Sequence, residues 1–212
     1  MQQPDWQIDT QPIPYPDAIS AMEARVAAVA DGQAQELVWL LEHPAIYTAG
    51  TSANPQDLIN PRLPIHQTGR GGQITYHGPG QRIAYVILDL RQRSHDVRRH
   101  VRNLEQWGKA ALAQFGIEAS TREGRVGLWV GYQNGREDKI IAIGVRVRRW
   151  IAYHGIALNV NPDLSYFQDI VPCGIKNDLY GVTSMAALGK SASVADVDAA
   201  LRLSFDTVFN LP

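Results

Sequence analysis

Gly127 to Val160 reads GLWVGYQNGREDKIIAIGVRVRRWIAYHGIALNV, and the fold class turns on this stretch. Gly127 to Tyr132, Lys139 to Val147 and Gly155 to Val160 are short, apolar and bounded by turn residues, the mark of strands rather than helices. Between the first two, Asn134-Gly135 predicts a hairpin through a type I′ turn, which needs positive φ at both central positions. Working outward, Leu37 to Leu41 (LVWLL) and Ala84 to Leu90 (AYVILDL) read as further buried strands. Helical spacing falls in Pro16 to Ala30, Asp96 to Phe115 and Ser193 to Phe209. In the second of these, Val97, Val101, Leu104, Ala111 and Phe115 recur on one stripe. The third opens on Ser193-Val194-Ala195-Asp196, a capping-box-like start, and carries Val197, Leu201, Phe205 and Val208 on its apolar face. Strands interspersed with helices predict an α+β domain, a mixed and largely antiparallel sheet flanked by helices. With no internal repeat and no linker composition, residues 1–212 read as a single domain.

The 212 residues are 45% hydrophobic, enough for a substantial core. Twenty basic against 21 acidic residues give a net charge of -1, so nothing global draws nucleic acid or an anionic membrane. The first residues, MQQPDWQIDTQPIPYPD, lack the basic and apolar regions of a signal peptide, and no apolar run reaches 18 residues. A cytoplasmic protein is expected. One cysteine, Cys173, rules out an intramolecular disulfide and a cysteine-rich metal site.

Four segments carry candidate chemistry. Arg70 to Gln81, RGGQITYHGPGQ, sets polar side chains among glycines that let backbone approach a ligand; an ordinary Gly-rich hairpin is the plainer reading. It matches neither nucleotide fingerprint, GxxxxGK[ST] nor GxGxxG. Lys139 heads the apolar run KIIAIG, either snorkelling from a strand end or lowering a nearby thiol pKa. His154 opens HGIALN, where Gly155 and Ala157 leave room for a slender ligand; a structural histidine is the plainer reading there. Cys173, in VPCGI, lies between a residue of fixed φ and one of free φ, hence on a bend. It is either a small core residue or a nucleophile that needs help, since a thiol of pKa about 8.5 is mostly protonated at neutral pH.

Taken together, EHPAIYTAG at Glu42 to Gly50, RGGQITYHGPGQ, KIIAIGVRV, HGIALNV and PCGI with VTS at Pro172 to Ser184 resemble the lipoyl(octanoyl) transferases. The resemblance runs from about Leu37 to Ser184. It implies the fold of the biotin/lipoate protein ligase catalytic domain and transfer of octanoyl from octanoyl-acyl carrier protein to a lysine of a lipoyl domain. Acceptors would be the lipoyl domains of 2-oxoacid dehydrogenase E2 subunits and the glycine cleavage H protein, with no cofactor, metal, nucleic acid or membrane. By the same resemblance, Cys173 is the acyl-thioester nucleophile and Lys139 its activating lysine. Substrate contacts fall on Arg70, Gly71, Gly72, Gln73, Ile74, Thr75, Tyr76 and His77, on Ala142, Ile143 and Gly144, and on Gly155, Ile156 and Ala157.

The mechanism expected is ping-pong: the Cys173 thiolate takes the acyl group and an acceptor lysine then removes it. Lys139 could act as cation or base, and backbone amides near Gly144 or Gly174 could donate to the oxyanion. An ATP-dependent lipoate or biotin ligase is the alternative enzyme; it needs no cysteine nucleophile. A non-catalytic binder of acyl carrier or lipoyl domain is a third reading.

Overall fold

The structure, a computed structural model, describes residues 3–171 and 179–209. Strand β1 (Asp5–Ile8) leads to helix α1 (Tyr15–Ala30), which has Pro16 in its first turn, where a missing N–H costs nothing. There follow β2 (Leu37–Leu41), β3 (Ile46–Ala49), β4 (Ile65–Gln67), β5 (Ile74–His77) and β6 (Gln81–Asp89). Helix α2 (Val97–Ala113) precedes β7 (Ser120–Arg122), β8 (Arg125–Gly131), β9 (Glu137–Arg148) and β10 (Ile151–Asn159). Strand β11 (Tyr180–Val182) and helix α3 (Val194–Phe209) complete the described chain. Each expected strand and helix is present, with ends moved by a few residues. The expected α3 cap forms as a reciprocal pair, the Asp196 N–H donating to Ser193 Oγ and the Ser193 N–H to Asp196 Oδ2.

The large sheet runs β1-β2-β6-β10-β9-β8-β7, with β11 paired to the first residues of β9, Glu137 to Lys139, and β4-β3-β5 form a separate small sheet. Among the described residues, β1 on β2 and β11 on β9 are the parallel pairs of the large sheet and β3 on β4 that of the small one, so the large sheet is mixed and largely antiparallel. Alternation along the central strands sorts the core. Val38, Leu40, Ala84, Val86, Leu88, Ile156 and Leu158 pack under α2 and α3. Leu37, Trp39, Leu41, Ile83, Tyr85, Ile87, Tyr153 and Ala157 face the other way, with α1 covering part of that face. The small sheet builds its own cluster from Tyr47, Ala49, Ile74, Tyr76, Phe167 and Ile170. An ion pair deep in the fold ties β6 to α3: Arg82, 1% exposed, meets Asp198 through two bonds of 2.7 and 2.8 Å. Among the described residues no helix is long and apolar enough to cross a membrane.

The hairpin expected at Asn134-Gly135 forms between β8 and β9, but not as a type I′ turn. Gly135 has φ +80° while Asn134 stays at negative φ. The Gly135 N–H donates to the Tyr132 carbonyl and the Tyr132 N–H to the Arg136 carbonyl, giving a three-residue loop that ends on a left-handed glycine. The paired positive φ occurs one hairpin later, at Arg149 (+52°) and Trp150 (+65°), between Arg148 and Ile151. There the short connection, together with the Trp150 carbonyl bond to the Leu90 N–H, overrides the preference for Asn and Gly.

Candidate active site

Between the α1 face of the large sheet and the small sheet lies a cavity of about 270 Å³. Its floor is set by register. Tyr85 on β6 pairs with Gly155 on β10, which pairs with Gly144 on β9; the next row is Ile83, Ala157 and Ala142; then come Gln81 and Asn159. Four small residues in two cross-strand pairs thus form a trough alongside Ile83 and Tyr85. At Gly155 no side chain is possible, because a Cβ would stand 2.2 Å from the Ala84 carbonyl oxygen.

Two departures from strand geometry bring polar groups to this trough. Leu128 pairs with Ile141 but Trp129 pairs with Lys139, so Ile140 is an extra residue on β9, a β-bulge. Ile140 and Ile141 both enter the core under α2 and α3, while Lys139 joins Ala142 and Gly144 in lining the cavity. The Lys139 ammonium donates to the Val126 carbonyl at 3.0 Å and lies 4.7 Å from the Trp129 ring centroid. The second departure is His154, at φ +64° inside β10. Alternation would send it to the face of Ile156, yet its ring meets Tyr85 and Tyr153 and lines the cavity. Strained backbone of this kind, which costs on the order of 1–3 kcal/mol, concentrates at functional sites.

The Gly-rich segment is clamped by Arg70, which is buried. Its guanidinium donates to the carbonyls of Gly71, Gln73 and Thr48 and to Thr48 Oγ1, and burial lowers its pKa. Its stem passes over Gly144, where a Cβ would be 3.0 Å from Arg70 Cδ. Deeper in, histidines and tyrosines pack together. His43 joins Tyr85 Oη at 2.7 Å and the Ile13 carbonyl at 2.6 Å. Burial pushes His43 down to about 4 and His154 to about 3, and holds His77 well below the usual histidine range. All three are neutral at pH 7.

A donor chain then fixes the His77 tautomer. Asn159 Nδ2 donates to the Thr183 carbonyl, so Asn159 Oδ1 accepts from Gln81 Nε2, and Gln81 Oε1 is left to accept from His77 Nδ1 at 2.6 Å. His77 therefore offers a bare Nε2, and it lines the cavity.

Of the residues expected to contact substrate, Arg70, Gly72, Gln73, Ile74, Thr75, His77, Ala142, Ile143, Gly144, Gly155, Ile156 and Ala157 line the cavity, and Lys139 joins them. Gly71 instead pairs with Val145, and Tyr76 turns into the small-sheet cluster against Tyr47 and Tyr166. Cys173 lies outside the described residues. Its flanks reach the site: Phe167 before it and Val182 after it line the cavity, and Val182 pairs with Lys139. Sequence reasoning passed over Tyr15, Gln81, Ile83, Tyr85 and Asn159 as lining residues. Gln81 closes the glycine-rich motif and was within reach; Tyr85 reads as one more residue of an apolar strand.

Residues 14–206 match the Lipoyl protein ligase A/B catalytic domain family. Among curated proteins, the octanoyltransferase of Rhodopseudomonas palustris strain BisA53 is 58% identical over 96% of this chain and 88% of its own length. That of Paramagnetospirillum magneticum is 59% identical over 97% of this chain and 96% of its own. Among solved structures, the bipartite lipoate protein ligase of Thermoplasma acidophilum shares the fold at TM-score 0.73 and 14% identity, covering 99% of this chain and 86% of that one. The chain therefore belongs to the octanoyltransferases, acyl-transferring enzymes within the lipoyl protein ligase A/B catalytic-domain family.

Proposed function

We propose that this enzyme, working as one catalytic unit over residues 1–212 in the cytoplasm, moves octanoyl from octanoyl-acyl carrier protein to a specific lysine of a lipoyl domain. The acceptors are the lipoyl domains of 2-oxoacid dehydrogenase E2 subunits and the glycine cleavage H protein. The observation that carries the reading is the trough of Ala142, Ala157, Gly144 and Gly155 with Lys139 on the same face. Such a slot suits a linear acyl chain. Burying six methylenes contributes on the order of 5 kcal/mol at about 0.8 each.

In the first half-reaction the Cys173 thiolate attacks the thioester carbonyl and the carrier thiolate leaves, taking a proton. In the second, the acceptor amine attacks the Cys173 thioester, loses a proton and expels the thiolate. Lys139, held between the Val126 carbonyl and Trp129, supplies positive charge to the thiolate or, once neutral, takes the amine proton. That Phe167 and Val182 flank the cysteine segment at the cavity supports Cys173 as the nucleophile. Arg70, Gly72 to Thr75, His77, Ala142 to Gly144 and Gly155 to Ala157, which line the cavity, hold the acyl group and its carbonyl.

Intact mass after mixing with octanoyl-acyl carrier protein tests the reading. One octanoyl adduct is expected on the protein, discharged by an apo lipoyl domain and absent in Cys173→Ala. An adduct persisting in that variant, or lipoyl-domain modification from octanoate, ATP and Mg²⁺ without the carrier thioester, overturns it.

A further inference from the structure

Lys139 is placed by more than its own strand. Past the bulge of β9 it pairs with Trp129 of β8, and its ammonium lies over the Trp129 ring, 4.7 Å from the centroid, while donating to the Val126 carbonyl at 3.0 Å. The face of an indole carries negative charge density and attracts the cation, and the carbonyl adds a directed partner. Together they fix the end of a flexible four-carbon stem that would otherwise reach many positions.

Trp129 is itself held in place. Only 2% exposed, it donates its indole N–H to the Arg125 carbonyl at 3.1 Å and meets the Tyr180 ring edge-on at 6.2 Å. The Arg125 guanidinium lies 4.7 Å from the same indole and 4.2 Å from the Tyr180 ring. Glu137 accepts from Arg125 and from Arg122, so this second cation beside the indole is balanced by a carboxylate. Among the described residues no carboxylate pairs with Lys139. Its charge is left to act on what enters the cavity that Lys139, Arg125 and Val126 line and Trp129 does not.

We propose that Trp129 is a positioning residue of the transfer reaction: with the Val126 carbonyl it forms a cradle that holds the Lys139 ammonium at the cavity wall, where its charge reaches the nucleophile. This rests on the reading of Lys139 as the lysine that activates Cys173. Trp129 acts through Lys139 and not on the substrate.

The experiment compares wild type, Trp129→Leu, Lys139→Met and the double variant. Each is alkylated with iodoacetamide at neutral pH, and loss of free thiol is followed, the chain having one cysteine. Trp129→Leu is expected to slow the reaction about five-fold, through loss of one cation–π contact, and Trp129→Phe, which keeps an aromatic face, to stay within about two-fold of wild type. In the Lys139→Met background, Trp129→Leu is expected to add nothing, because its influence passes through the ammonium. Equal slowing in both backgrounds would make Trp129 a packing residue only and overturn the proposal, as would full reactivity in folded Trp129→Leu. Should that variant not fold, proton NMR of wild type carrying isotope-labelled lysine decides. The Trp129 ring current should move the Lys139 ε-methylene protons upfield of those of Lys109, Lys176 and Lys190, the signal being identified by its absence from Lys139→Met. An unshifted signal overturns the proposal. Lys139→Met reacting as fast as wild type instead fails the underlying reading of the lysine, and the proposal falls with it.

Discussion

Gly127 lies against the bulge of β9 so closely that a Cβ on it would stand 2.5 Å from the Ile141 carbonyl oxygen and 3.3 Å from Lys139 Cε. Its φ of +121° belongs to a region that other residues rarely adopt. The bulge that aims Lys139 at the cavity thus depends on a glycine across the strand pair. Gly127→Ala is expected to destabilise the fold by about 1–3 kcal/mol and to displace the lysine. At neutral pH, iodoacetamide should alkylate Cys173 more slowly in Gly127→Ala, and by a similar factor in Lys139→Ala. Unchanged alkylation in both variants would remove the lysine from thiol activation.

The neutral histidines make stability depend on pH. Burial lowers His43 and His100 to about 4 and His154 to about 3 from an ordinary 6.5, and holds His77 well below that ordinary value. Above pH 6.5 these groups are neutral folded or unfolded and contribute nothing. As pH falls below 6.5 the unfolded chain binds protons that the fold refuses, so stability declines until the folded pKa is reached. The slope is about 1.4 kcal/mol per pH unit for each histidine. His100 packs against Phe209 away from the cavity, and His100→Phe should flatten the decline in urea unfolding free energy between pH 6.5 and 5 by about that amount. An identical slope in the variant would contradict the assignment.

Asp198 accepts two hydrogen bonds from the buried Arg82 guanidinium, whose third bond, to the Asp9 carbonyl, reaches the segment after β1. Removing one partner leaves a charge in the core, so Asp198→Ala should lower the unfolding free energy by about 3–5 kcal/mol. Replacing both residues with apolar ones should recover much of that loss. A thermal denaturation series on the single and double variants separates the pair from its surroundings.

Much of the fold is legible because its cause is local. Leu37 to Leu41 is a strand whatever surrounds it, and the Ser193–Asp196 cap needs four residues and no partner. The glycine-rich segment and the small residues of β10 suggest a ligand site through composition, since glycines interleaved with polar side chains make a poor core, whereas Ala142 to Gly144 in the KIIAIG run are named only through the family resemblance. Gly155 could be named as a candidate ligand contact from its small size and Gly144 through the family resemblance; that they stand opposite one another could not be read.

Local sequence by itself therefore determined the elements and the alternation that buries their faces, and it marked Gly155 and Ala157 of the trough. Tertiary structure alone decided what breaks that alternation. Lys139 by simple parity shares a face with Ile141 and Ile143, and only the extra residue inserted against β8 turns it towards Ala142. His154 by parity belongs with Ile156, and its left-handed backbone carries it to Tyr85 instead. The donor chain from His77 through Gln81 and Asn159 to Thr183 joins residues up to 106 positions apart. Register, bulges and strained backbone are settled by contacts between distant segments, and a pattern that repeats every two residues carries no record of them.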